Sequence, residues 1–258
     1  MAAEGLHGRT ALVTGSTGGI GWPLPRRWRG LRRGAARLAP PAEGEMVAAA
    51  LAARHAVTAR YVMAELAAPT AIAELAAAAG EVDIVVNNAA TRHFGPVEET
   101  SQEAWDTDIA VNLSAAFHLI RLTLPGMRRR GWGRIVNMSS IYGRIGATGR
   151  IGYVTTKTAL IGLTRGVALE TAGSGITCNA LCPGTTLTPN IAGRIQAAMA
   201  DSGADEATEA ARFLAGKQPT GRFVEASAIG AMVAFLCGPA GRDITGTALP
   251  IDGGWSAA

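Results

Sequence analysis

Short apolar runs at 10–14, 57–63, 82–87, 134–139, 176–181 and 247–251 alternate along this chain with longer stretches of helical character at 42–54, 70–79, 101–130, 152–171 and 225–237. That alternation restricts the fold more than any other feature of the sequence. Antiparallel strands can be joined by a two-residue hairpin, whereas parallel neighbours need a crossover of a dozen residues or more, and a helix supplies it. Strands with apolar residues at consecutive positions have no solvent face, so helices must cover both sides of their sheet. The pattern predicts an α/β fold, a doubly wound parallel sheet of about seven strands with helices on both faces. The 258 residues lie near the upper limit for one hydrophobic core, and neither a Pro/Ser-rich linker nor an internal repeat divides them. We therefore expect residues 1–258 to form a single domain. Residues 189–217, after Pro183-Gly184, break the rhythm and read as a small helical lid inserted at the carboxyl edge of the sheet.

Composition narrows the function. Apolar residues make up 48% of the chain and charged ones 17%, enough for a sizeable core and too little charge for a disordered chain. No apolar run approaches the ~20 residues of a bilayer span, so a membrane partner is not expected. Residues 1–9 hold no apolar segment of signal-peptide type. Cys178, Cys182 and Cys237 are odd in number and lack metal-ligand spacing. They read as buried, inert thiols of a cytoplasmic protein, and no metal site is expected. The formal net charge of +4 suggests nucleic acid, but six arginines (Arg26, Arg27, Arg29, Arg32, Arg33, Arg37) carry it in one acid-free segment. Without those six the charge would be −2, so no nucleic-acid face is expected. Arg128, Arg129 and Arg130, before Gly131, read as a solvated helix C-terminus.

After the strand Ala11-Leu12-Val13 comes Thr14-Gly15-Ser16-Thr17-Gly18-Gly19-Ile20-Gly21. Glycines in such a turn permit positive φ and let backbone N–H groups approach a pyrophosphate, as in Rossmann-like folds. The spacing of Gly15, Gly19 and Gly21 is one residue longer than GxGxxG. Further on stand Asn87-Asn88-Ala89-Ala90, Asn112, Ser140, Tyr153-x-x-x-Lys157, Pro183-Gly184 and Asp252-Gly253-Gly254. In that order and at those spacings they resemble the short-chain dehydrogenase/reductase family over nearly the whole chain.

The resemblance implies a secondary-alcohol dehydrogenase using NAD, with NADP open, in a homotetramer built through the long helices. It implies cofactor contacts from Gly15, Thr17, Gly19, Ile20, Gly21, Glu65, Leu66, Asn88, Ala89, Tyr153, Lys157, Pro183, Gly184, Thr186 and Thr188. It makes Tyr153 the proton-exchanging group and Lys157 the cation that lowers its pKa and holds the nicotinamide ribose. Ser140 then hydrogen-bonds the substrate oxygen and Asn112 orders a relay water. The residues alone agree on the pair: Tyr153 and Lys157 are one helical turn apart and share a face. A phenol titrates at about 10, so bringing it to neutrality takes roughly 3 units, or about 4 kcal/mol, part of which a nearby ammonium can supply. Lys157 is one of two lysines beside 22 arginines, and arginine cannot act as a compact, tunable ammonium.

Within the family, Leu124-Pro125-Gly126-Met127, Gly131-Trp132-Gly133-Arg134, Gln218-Pro219-Thr220 and 246–255 resemble the D-3-hydroxybutyrate dehydrogenase subfamily. Where that subfamily carries Gln, His, Lys and Gln in its carboxylate pocket, this chain has Arg92, Tyr142, Arg150 and Arg194; His93 is kept, and Thr185 replaces Trp. With Ser140 and Trp255, these residues form the expected substrate site. Three arginines can converge on an anion, which points to a 3-hydroxy acid or a larger acidic analogue. Two other readings stand beside this one. The first is an NADP(H)-dependent 3-oxoacyl or carbonyl reductase. The second is a catalytically impaired scaffold that binds cofactor without turnover.

Residues 22–41 should hold the first crossover helix and the second strand, yet contain four prolines, two tryptophans and the arginine run. Residues 34–38 read as a shortened second strand lacking a terminal acid. Two accounts fit: a variant segment that binds the 2′-phosphate of NADP or a partner, or a compensated reading-frame shift. We favour the shift, because family-like sequence returns abruptly at Ala42. A peptide mass map is then expected to show Ala-rich peptides in place of 22–26; recovery of the peptide as written refutes it.

Overall fold

A computed structural model of the chain describes residues 6–16, 32–36 and 41–257, and of 32–36 and 41 the backbone alone. Seven strands form one sheet: β1 (Thr10–Thr14), β2 (Arg32–Ala36), β3 (Ala59–Val62), β4 (Ile84–Asn87), β5 (Gly133–Met138), β6 (Ile176–Pro183) and β7 (Ala248–Ile251). All neighbours are parallel and the order is β3-β2-β1-β4-β5-β6-β7. The sheet therefore grows outward in both directions from the β1–β4 pair. At that switch the crossovers diverge to opposite faces and leave a crevice at the carboxyl ends of the strands.

The period-two alternation of strand side chains sorts the core into two layers. Leu12, Val85, Ile135 and Cys178 point to one face, where they meet Leu75 of α2 (Pro69–Ala79) and Leu119 of α4 (Ala115–Arg130). Val13, Val86, Val136 and Leu181 point to the other and meet Ile229, Val233 and Leu236 of α8 (Ala226–Cys237). Every residue of β4, β5 and β6 is buried, as consecutive apolar positions require. All three cysteines are free and buried, and burial pushes Cys178 and Cys237 up to about 12, which keeps them as unreactive thiols.

The structure corrects several expectations. The second strand lies at Arg32–Ala36 instead of 34–38. The rest of the anomalous stretch, apart from Pro41, where α1 (Pro41–His55) begins, lies outside the described residues, as does the question of a reading-frame shift. The expected helix 101–130 is interrupted: α3 (Gln102–Ile109) passes through a π-helical turn, Ala110–Ser114, before α4. By length and composition the run Gln102–Arg130 is apolar enough to cross a bilayer, where the sequence suggested no such run. Its α4 part instead packs against α2 and the sheet, with Leu119, Ile120 and Met127 buried. Of the three terminal arginines of α4, Arg128 and Arg129 are exposed, as the sequence suggested, and Arg130 is half-buried. Arg130 pairs with Glu81 and Asp83, and Arg128 donates to the Glu170 carbonyl.

Candidate active site

The carboxyl ends of β1 and β4 are stitched together by side chains. The Thr14 hydroxyl accepts from the backbone N–H groups of Asn88 (2.9 Å) and Ala89 (3.0 Å), while the Asn88 amide donates to the carbonyls of Thr14 and Gly15. Gly15 has φ +61°, and a Cβ there would stand 2.8 Å from Ala89 Cα, so only glycine fits this crossing. The neighbouring Ser16 hydroxyl is buried without a hydrogen-bond partner. A glycine that admits no side chain, next to an orphaned polar group at a switch point, fits the phosphates of a dinucleotide. Thr17, Gly19, Ile20 and Gly21 lie outside the described residues.

On the other side of the crevice, Pro183 ends β6, and a Cβ on Gly184 would stand 2.9 Å from Asp252 Cα. Thr186 is buried and forms a bridge with Val224, and Thr188 caps α6 (Pro189–Ser202) by accepting from the Ile191 N–H. Beyond β3, the exposed Glu65 carboxylate accepts from the Ala67 N–H, and Leu66 is packed in the core. Their side chains thus serve the local turn and the core, and the Glu65 carbonyl accepts from the Ala68 N–H.

Tyr153 and Lys157 lie on α5 (Ile151–Glu170), both deeply buried. The Lys157 ammonium donates to the Met138 carbonyl at 2.7 Å and stands 5.4 Å from the Tyr153 ring centre. Ser140 follows β5, and its Oγ accepts from the Tyr142 N–H, which leaves the hydroxyl proton free to donate. A cation that sequence reasoning had placed on substrate sits on the phenol itself: Arg92 Nη2 donates to Tyr153 Oη at 3.3 Å, its guanidinium carbon 5.0 Å from the ring. The loop carrying Arg92 is drawn there by a bridge between Gly95 and Arg150 at the start of α5. Burial, the largest influence on the Tyr153 phenol, pushes it up; Arg92, then Lys157, then hydrogen bonds with Arg92 and Ser140 together bring it below its ordinary value. Burial also dominates Lys157 and holds its ammonium below the usual lysine range, with the Arg92 charge adding to the effect against the pull of Tyr153.

Asn112 occupies the π turn, a local irregularity frequent at functional sites. Its side-chain oxygen accepts from the Thr91 N–H at 2.7 Å, and its amide donates to the Thr91 carbonyl and the Thr156 hydroxyl. The Asn112 side chain therefore anchors the loop that bears Arg92. Asp108, one turn earlier, was not singled out from the sequence. It is 1% exposed and accepts from the Thr91 hydroxyl at 2.6 Å, with His93 Nδ1 at 3.0 Å. A Cβ at Gly152 would fall 2.5 Å from Asp108 Oδ2, so the absence of a side chain at Gly152 admits the carboxylate. The sequence signal was faint: an acid on an otherwise mixed helix.

Of the remaining candidates, Tyr142 stacks edge-on to Trp255 with ring centres 5.4 Å apart. Arg150 lies between rings, 4.9 Å from Tyr142 and 5.1 Å from Phe94. Arg194, on α6, is exposed and stands 5.1 Å from the Phe213 ring of α7 (Glu206–Leu214). Lys217, also missed from the sequence, shares that ring at 4.0 Å.

Against known proteins, a family model described as enoyl-(acyl carrier protein) reductase matches residues 36–256. D-beta-hydroxybutyrate dehydrogenase of Cupriavidus necator is 37% identical over 98% of this chain and 99% of its own length. The protein of the same name from Rhizobium meliloti is 36% identical, over 96% of this chain and 99% of its own. Among solved structures, L-sorbose reductase from Gluconobacter frateurii, complexed with NADPH and L-sorbose, aligns over 98% of both chains with a TM-score of 0.91 at 27% identity.

Proposed function

The chain belongs to the short-chain dehydrogenase/reductase family, oxidoreductases that act on CH–OH groups with NAD(P), and on that premise we propose that it interconverts a 3-hydroxy acid and its 3-oxo counterpart. The observation that carries this reading is the placement of Arg92 against the Tyr153 hydroxyl, which sets a fixed positive charge beside the reacting oxygen. A carboxylate two carbons from the carbinol can meet Arg92 and Arg150 while its hydroxyl meets Tyr153.

In this mechanism Tyr153 takes the proton from the carbinol oxygen during oxidation and returns it during reduction. Lys157 and Arg92 favour the phenolate; Ser140 donates its hydroxyl proton to the substrate oxygen and fixes its position. Asn112 and Asp108 hold Thr91 and His93, and so set the loop that aims Arg92. Gly15, Asn88, Ala89, Lys157, Pro183 and Gly184 are the described residues we assign to the dinucleotide. A nicotinamide held by these residues would supply the hydride acceptor for oxidation of the carbinol and the hydride donor for reduction of the ketone. NAD is the cofactor we assign, from the family resemblance of the sequence, with NADP the alternative that the NADPH complex of L-sorbose reductase keeps open. A homotetramer through α4 and α5 fits the exposure of Phe117 (46%) and Leu169 (79%) on those helices.

The test is NADH and NADPH oxidation by the purified protein with 3-oxo acids and with neutral ketones of equal length. The acids are expected to exceed the ketones at least about tenfold in kcat/KM, the equivalent of one modest charge contact. Equal or better turnover of neutral ketones would remove the acidic-substrate reading.

A further inference from the structure

Four cations stand on the catalytic pair or on segments before and after it in the chain: Arg92 on the phenol, Arg150 over Tyr142, and Arg194 and Lys217 on the Phe213 ring. Among the described residues, none of the four has a carboxylate within 4.0 Å. The acids nearest the site are already committed. Asp108 serves Thr91 and His93, and Asp252 accepts from the N–H groups of Gly254 and Ser256. Aromatic faces hold the cations instead, and such faces attract a cation without neutralising it.

The cations divide into two groups. Arg92 lies at the phenol, beside the reacting oxygen. Arg194 and Lys217 share the Phe213 ring in the α6–α7 segment, the Lys217 ammonium also donating to the Phe213 carbonyl. Arg150 joins the two groups: its guanidinium stands over Tyr142, which follows Ser140, and its charge reaches Lys217. Burial is the main influence that lowers the Lys217 ammonium, with the charges of Arg194 and Arg150 next, so these cations disfavour the charge on Lys217, and among the described residues none of the three is ion-paired. One carboxylate can answer the charge at the phenol. It leaves the α6–α7 pair unanswered.

We propose that the substrate is a dianion, a 3-hydroxy or 3-oxo dicarboxylate, whose first carboxylate meets Arg92 and Arg150 and whose distal carboxylate is taken by Arg194 and Lys217. This deepens the acidic-substrate reading above and rests on it. Lys217 is then a specificity residue: its compact ammonium spends one donor on the Phe213 carbonyl and keeps two for an oxygen of the ligand.

The experiment compares 3-oxo dicarboxylates of five to seven carbons with 3-oxo monocarboxylates of equal length, in wild type and in Lys217→Met. At least one diacid is expected to exceed its monoacid about tenfold or more in kcat/KM. The Met variant is expected to reduce that ratio about tenfold, chiefly through KM. Thermal-shift titration with unreactive saturated diacids and monoacids gives a second readout, in which wild type is stabilised more by the diacid and Lys217→Met is not. Monoacids turned over as well as diacids, or a ratio unchanged in Lys217→Met, would overturn the dianion proposal and leave the acidic-substrate reading intact. Turnover of neutral ketones alone would instead remove the reading beneath it.

Discussion

Replacing Tyr153 by Phe is expected to lower kcat by about 10²–10⁴-fold, the usual contribution of a positioned acid/base, while dinucleotide binding changes by no more than about twofold. Phe keeps the ring that fills this buried position on α5 and removes only the oxygen to which Arg92 donates. Loss in both reaction directions is expected, because the same oxygen takes the proton in one and gives it in the other. Stopped-flow measurement of a single turnover, with cofactor binding followed separately by fluorescence titration, checks the split. Undiminished turnover in this variant would remove Tyr153 from the mechanism.

The second large effect concerns Arg92. Its charge is the strongest of those that draw the phenol below its ordinary value against the opposing push of burial. Alcohol oxidation needs the phenolate, so the rate rises with pH through the phenol's pKa and is flat above it. In Arg92→Gln one stabilising charge is lost and the pKa moves up. Oxidation at neutral pH should then fall about tenfold or more, the size expected for an opposite charge at this range, and recover as pH is raised. Ketone reduction needs the protonated phenol and should persist to higher pH than in wild type. Other charged and titratable groups around Tyr153 and Lys157 remain in place in this variant: Lys157 on α5, the Asp108–His93 pair, and Cys182 behind Lys157. Arg92→Lys is expected to restore much of the profile, since it keeps the charge. An unchanged pH profile in Arg92→Gln would show that Arg92 acts only on substrate, and would leave Lys157 as the sole cation at the phenol.

Much of the architecture was legible because it depends on local pattern. Runs such as Ile84-Val85-Val86 can only be buried on both faces, and the stretches between them are long enough to cross over the sheet. Tyr153 and Lys157 were readable as a pair because four residues make one helical turn. The π turn at Ala110–Ser114 was not legible, since it adds one residue to a single turn of a long helical stretch, and a helical period averaged over that stretch does not resolve one extra residue. The cysteines were readable as buried, but the ion pairs of Arg130 with Glu81 and Asp83 were not, because those partners lie on a different connection.

The sequence by itself determined the parallel sheet, the glycine at position 15 after β1 and the helix that presents Tyr153 and Lys157, because each follows from periodicity or from the steric freedom of a single residue type. The surroundings of that helix were decided only by the tertiary structure. Arg92 reaches the phenol from 61 positions away, Asp108 is admitted by the missing side chain of Gly152, and Lys217 joins Arg194 on one aromatic ring. Coulombic and hydrogen-bonding partners are chosen by distance in space, and separation along the chain carries no record of them.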